Sequence, residues 1–307
     1  MSNVDLAARD DASAPANGAA FAIEGAGLAV GVSTYADAQL TSCPAAGRTA
    51  EAVARALGPC LSNGVATIVD PKDTYTLFLA LQKAVARARG GVFVLYYAGL
   101  TIRSGDELLL TTSASRRDGK SACVPWSDVE AILENERVAR GLVILNAEGF
   151  AGVGWLGASK PGVFGMGSVR IHDPNVADAR IASYGAAVAD AFGAPAHELR
   201  EHLVEGKLDV AALGRYLAAR APTPAGYDPL HPKRGEPARH ETFGTPDASP
   251  LVLRDLRDEL ARAPARAAST GIATALATTG RSRRGLVLVL LVAAAIVGAI
   301  VVALLRR

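Results

Sequence analysis

The apolar run Leu142–Leu145 gives way to "NAEGFAG" (146–152), small residues gathered around one carboxylate, Glu148. Four apolar residues in a row leave no polar face, so the run reads as a buried strand. In an open α/β sheet the carboxyl end of such a strand is where ligands and reacting groups collect. Glu148 could serve there as a general base, which requires a raised pKa and a partner acid or histidine. The first histidine of the chain is His172, so the partner is missing from the preceding sequence. The sequence favours the simpler reading, a carboxylate at a solvated strand end. Cys43 is a second residue with suitable chemistry. It falls in the loop after the first strand, on the same rim of the sheet, and a thiolate there could act as a nucleophile. With no histidine in the first 171 residues, a small apolar filler is the better account of it.

Other patterns fail on geometry. "GAGLAVG" (25–31) spaces Gly25 and Gly27 like a dinucleotide turn, but they precede the expected strand, whereas a phosphate turn must follow one. "HELREH" (197–202) has one residue too many for a zinc-protease helix. Five helical steps put His197 and His202 about 140° apart, so two solvated histidines are expected. The three cysteines, Cys43, Cys60 and Cys123, form no Cys-x-x-Cys and do not pair evenly. No metal or cofactor is expected, and the cysteine usage suits a reducing compartment.

The elements that must position these residues alternate. Strands are expected over 27–33, 65–70, 91–99, 142–145 and, more weakly, 162–171, with helices over 45–58, 74–89 and 127–140. The last of these helices opens with Ser127 and Glu130 at capping-box spacing. "DELLLTTSAS" (106–115) reads as a hairpin arm, and further helices are expected around 184–192 and 208–221. Such alternation predicts a mostly parallel sheet flanked by helices on both faces, an α/β fold. Seven prolines in residues 221–250 predict an extended linker, followed by a short amphipathic helix over 251–263.

Three stretches resemble the caspase and metacaspase-like peptidases. "GLAVGVSTYADAQLTSCPAAGRTAEAVARALG" is similar to that family's opening strand, loop and helix. "VFVLYYAGLTIRSGDELLLTTSAS" resembles the stretch where the family writes an aromatic pair and then Ser-Gly-His-Gly. "VPWSDVEAILENERVARGLVILNAEGFAG" resembles the next helix and strand, which in the family end in Asp-x-Cys-x-Ser-Gly. The resemblance spans roughly residues 25–220 and implies a caspase-like fold over a domain at 23–220. It also implies a cysteine–histidine dyad at neighbouring strand ends. Position by position, the histidine falls on Leu100 and the cysteine on Glu148, or on Gly149 if the turn has gained a residue. The acid that opens the cysteine motif falls on Asn146. None keeps the chemistry, so the resemblance implies a pseudopeptidase that binds or regulates through a protein or peptide partner. Two alternatives stay open. One is an active cysteine endopeptidase with a relocated nucleophile such as Cys43, served by His172 or His197. The other is an unrelated α/β ligand-binding module, which would want acidic clusters or Gly-rich turns at the strand ends.

The net charge of +2, from 32 basic and 30 acidic residues, offers no electrostatic footprint for nucleic acid. Alanine and arginine richness hints at a bacterial source with GC-rich DNA. Residues 1–22, with acids among their few charges and no apolar core, read as a disordered lead-in rather than a secretory signal. Residues 285–305 are 21 consecutive apolar or small residues, flanked by Arg281, Arg283, Arg284, Arg306 and Arg307. As a helix they would span roughly 31 Å, the thickness of a hydrocarbon core. A single-pass tail anchor is therefore expected, with the N-terminal domain in the cytoplasm.

Overall fold

A computed structural model of the chain describes residues 22–105, 107–117, 122–136, 138–150, 162–220, 241–243 and 251–262. The lead-in 1–21 and the apolar run 285–305 lie outside the described residues. Among the described residues no helix is long and apolar enough to cross a membrane.

The chain opens with β1 (Gly25–Gly31), α1 (Ala45–Leu57), β2 (Val65–Val69), α2 (Thr74–Arg87) and β3 (Val92–Ser104). A hairpin arm follows, β4 (Glu107–Thr111) and β5 (Cys123–Pro125), then α3 (Trp126–Asn135), β6 (Arg140–Phe150) and β7 (Val163–Ile171). Next come α4 (Ala177–Gly193), the single turn α5 (Ala196–Leu199), β8 (Lys207–Asp209) and α6 (Val210–Arg220). The main sheet runs β2-β1-β3-β6-β7, all parallel. β9 (Glu241–Phe243) adds antiparallel to β7, and β4 folds back antiparallel on the far half of β3.

Glycine makes the centre of this sheet possible. Gly25 and Gly27 lie inside β1 rather than before it. A Cβ at Gly25 would fall 2.2 Å from the Val92 carbonyl oxygen, and one at Gly31 would fall 2.5 Å from that of Ala46. Helices α2 and α3 cover one face over a core of Leu28, Leu77, Leu81, Phe93, Tyr97, Trp126 and Val143. Helices α1 and α4 cover the other, and their close approach depends on Gly185, where a Cβ would fall 2.4 Å from Thr49 Cβ.

The helix starts show how tertiary contacts complete local signals. Asp73 caps α2, its Oδ1 accepting from Thr76 N–H at 2.7 Å. The α1 N-terminus has no local cap; Asp178 of α4 reaches across to accept from Ala45 N–H at 2.6 Å. The capping box expected at Ser127 does not form. The helix begins one residue earlier, at Trp126, and Ser127 N–H is taken by Glu107 Oε1 at 3.0 Å. Two other expectations also change. Proline density did not prevent β9, because residues 238–245 carry no proline. Residues 251–263 are not one helix: β10 (Val252–Asp255) pairs antiparallel with β8, and only α7 (Arg257–Arg262) is helical. Leu251, Leu253 and Leu256 are buried, and Arg254 Nη1 donates to the Ala194 carbonyl at 2.9 Å. Alternating leucines packed on a neighbouring strand satisfy period two as readily as they resemble a helix stripe.

Candidate functional site

The carboxyl rim of the sheet is where a dyad would stand. Leu100 and Glu148 are register partners on adjacent strands, as are Ala98 and Asn146, so the transferred positions share one face of the sheet. Neither strand ends there. β3 passes through Gly99, whose φ of +151° favours glycine, and runs on to Ser104. Leu100 is fully buried and its backbone is held by hydroxyls. Its N–H donates to Tyr35 Oη at 2.9 Å, while its carbonyl accepts from Tyr97 Oη and Thr111 Oγ1, each at 2.7 Å. Tyr35 is half-buried, and its hydroxyl also lies 3.3 Å from the Val32 carbonyl and from Thr111 Oγ1. Burial holds both phenols above the usual tyrosine range, so they remain protonated donors at neutral pH.

β6 likewise continues five residues past Leu145, between β3 and β7 and under α4. The expected solvated carboxylate is therefore corrected: Glu148 is 0% exposed. Its Oε2 lies 3.6 Å from Arg180 Nη1 on α4, whose side chain keeps 17% of its surface in solvent. Asn146, also fully buried, donates through Nδ2 to Tyr96 Oη at 2.9 Å and to the Ile181 carbonyl at 2.7 Å. The positions matching acid and nucleophile thus fasten α4 to the sheet. A carboxylate paired with a guanidinium is a weak base, because the cation favours its ionised form.

Cys43 lies on the expected rim but its side chain is fully buried. Its Sγ sits 3.6 Å from the Thr41 carbonyl, and its N–H donates to Ser33 at 2.8 Å. The structure does bring a histidine to this loop: His172 Nε2 lies 3.1 Å from Thr41 Oγ1. Burial keeps His172 below the usual histidine range; Asp173 opposes this and Arg180 reinforces it, so the ring is neutral at pH 7. His197 is exposed on α5, 4.0 Å from Glu198 Oε1. α5 stops at Leu199, so "HELREH" does not form a continuous helix. His202 is half-exposed and packs edge-on against Tyr216, with ring centroids 5.2 Å apart.

Beside the rim, the loop after β1 and the loop after β4 enclose an open hollow of about 370 Å³ lined by Ala36, Asp37, Ala38, Gln39 and Arg116. The loops are tied together by Ala36 N–H to the Ser113 carbonyl at 2.8 Å and Arg117 N–H to Asp37 Oδ2 at 3.0 Å. The Arg117 and Gln39 amides hold the Asp37 carboxyl below the usual range.

Arg180, Tyr35, Thr111 and Thr41 were not identified as site residues in the sequence. Arg180 alone left a signal: it sits on a buried helix stripe with Ala177, Ile181 and Tyr184, where an arginine requires a buried acid. The hydroxyl partners are set by loop crossings that no spacing reveals.

No family model matches the sequence. No curated protein matches it either. Solved structures do. The crystal structure of caspase-1 from Spodoptera frugiperda aligns at a TM-score of 0.50 and 11% identity, covering 80% of this chain and 96% of that one. The Drosophila initiator caspase Dronc aligns at 0.51 and 10%, covering 78% of this chain and 86% of its own. With the strand order, the far-half hairpin and the helices on both faces, these alignments establish that the chain has a caspase-like fold.

Proposed function

We propose that the protein is a membrane-tethered pseudopeptidase, a caspase-like domain that binds a protein or peptide partner without cutting it. One observation carries this reading: Leu100 and Glu148, at the two dyad positions, are register partners with no solvent exposure. Leucine cannot move a proton, and Glu148 is ion-paired to Arg180. The hollow at Asp37 and Arg116 offers a partner polar contacts on the same rim. Residues 285–305 anchor the chain, with the domain on the cytoplasmic side and Arg306 and Arg307 at the far interface. The test is incubation of the purified full chain with peptide libraries carrying Arg, Lys or Asp before the scissile bond. No turnover is expected; specific cleavage abolished by Cys43→Ala or Glu148→Gln defeats the proposal. Protease added outside intact spheroplasts should leave the domain whole until lysis, and earlier digestion reverses the orientation.

The His172–Thr41 contact favours a second reading, a cysteine peptidase whose nucleophile is Cys43, two residues from Thr41. It requires the loop to open, since the thiol is enclosed. The libraries separate the two: this reading requires turnover lost in both Cys43→Ala and His172→Ala.

A further inference from the structure

The outer strand β2 has an edge built for pairing. Among the described residues it pairs only with β1. Gly27 N–H donates to the Gly64 carbonyl at 3.0 Å and Asp70 N–H to the Gly31 carbonyl at 2.8 Å, which fixes the phase of the ladder. In a parallel ladder both backbone groups of a residue point to the same side, and successive residues alternate. Residues 64, 66, 68 and 70 therefore face β1, and Val65, Thr67 and Val69 direct their N–H and C=O groups outward.

Natural edges of this kind are blunted by charge, proline or a bulge. Residues 65–69, Val-Ala-Thr-Ile-Val, carry no charge and no proline, and their register with β1 runs without a bulge. Thr67 is exposed and Val69 is 39% exposed. Tyr75, six residues further along, is 72% exposed, so two of the three large exposed apolar side chains among the described residues belong to this region.

The sequence also indicates what covers the edge, because it reads nearly the same in both directions. Laid antiparallel on itself across a two-fold axis at Thr67, Val65 meets Val69, Thr67 meets Thr67 and Ala66 meets Ile68. The outward-facing residues then become the hydrogen-bonded pairs, each exchanging two bonds. Opposed β-branched residues, with no like charge between them, suit such a pairing. We infer that β2 pairs antiparallel with β2 of a second copy of this chain, joining the two sheets into one through an isologous interface. This rests on the sheet edge alone and is independent of whether the protein cuts peptides.

The experiment uses the full chain in mild detergent. Light scattering coupled to gel filtration should give a protein mass about twice the 31.6 kDa of one chain as concentration rises. Thr67→Cys, in a background with the half-buried Cys60 changed to Ser, should form an interchain disulfide, because a hydrogen-bonded antiparallel pair holds its Cα atoms about 5.5 Å apart. A cysteine at exposed Glu51 on α1 should not. Thr67→Pro removes an outward N–H and leaves the β1 ladder intact, so it should weaken dimerisation at least tenfold with an unchanged melting temperature. Single-chain mass throughout, no Thr67→Cys cross-link, or a dimer untouched by Thr67→Pro would each overturn the inference, the last by assigning association to another surface.

Discussion

Removing Arg180 tests the reassigned rim most sharply. Arg180→Met leaves Glu148 with no exposure and without the 3.6 Å guanidinium. Water cannot reach the carboxylate, so solvent does not replace the lost cation. Removing one partner of a buried pair typically costs ~3–5 kcal/mol, and Arg180→Met should lose a large part of that at pH 7. Glu148→Met should be milder, about 1 kcal/mol, because Arg180 keeps 17% of its surface exposed and can reach water. The double variant, apolar on both sides, should lie within about 1 kcal/mol of the parent. Urea unfolding followed by tryptophan fluorescence at pH 7 measures all four corners. A double variant as unstable as Arg180→Met refutes the buried-pair account.

Three further outcomes follow from the same geometry. Gly185→Ala forces a Cβ to within 2.4 Å of Thr49 Cβ, and should lower stability by about 1–3 kcal/mol through separation of α1 and α4, read by thermal melting. Asp73→Ala removes the α2 cap and should cost about 1 kcal/mol, with Asp73→Asn recovering most of it in the same melt. His172 has a folded pKa below its ordinary 6.5, mainly from burial, so below that pH the unfolded state binds the extra proton. Its contribution is present above pH 6.5 and is lost as pH falls toward the folded value; His172→Gln should flatten that part of the stability–pH curve.

Much of the fold was legible because its signals are local. The α1 range follows from apolar spacing and from Gly58 at its end, and the β4 arm from an apolar run with no helix before it, whereas the Asp73 cap of α2 shows only in the fold. The rim was less legible. Small residues at Ala147 and Gly149 look like a turn, yet β6 continues because β3 and β7 extend beside it to Ile102 and Ile171. Glu148 is enclosed between β3 and β7, and its ion-pair partner Arg180 stands 32 residues later on another element. The Ser127 box was displaced by Glu107 in the same way, a long-range acceptor prevailing over a local one. Leu100 and Asn146 were singled out by the family resemblance, but the hydroxyls that hold them, Tyr35 and Thr111 on Leu100 and Tyr96 on Asn146, become visible only once the chain is folded.

The central claim is that no reactive thiol serves this rim. The full chain should be treated at pH 7.5 with a peptidyl acyloxymethyl ketone set bearing Asp, Arg or Lys, then digested and analysed by mass spectrometry, alongside a urea-unfolded control labelled with iodoacetamide. Buried Cys43 and Cys123 should carry no peptidyl adduct in the folded protein, while all three cysteines react with iodoacetamide once unfolded. A stoichiometric peptidyl adduct on Cys43 of the folded chain, lost in His172→Ala, would contradict the account and identify a working peptidase.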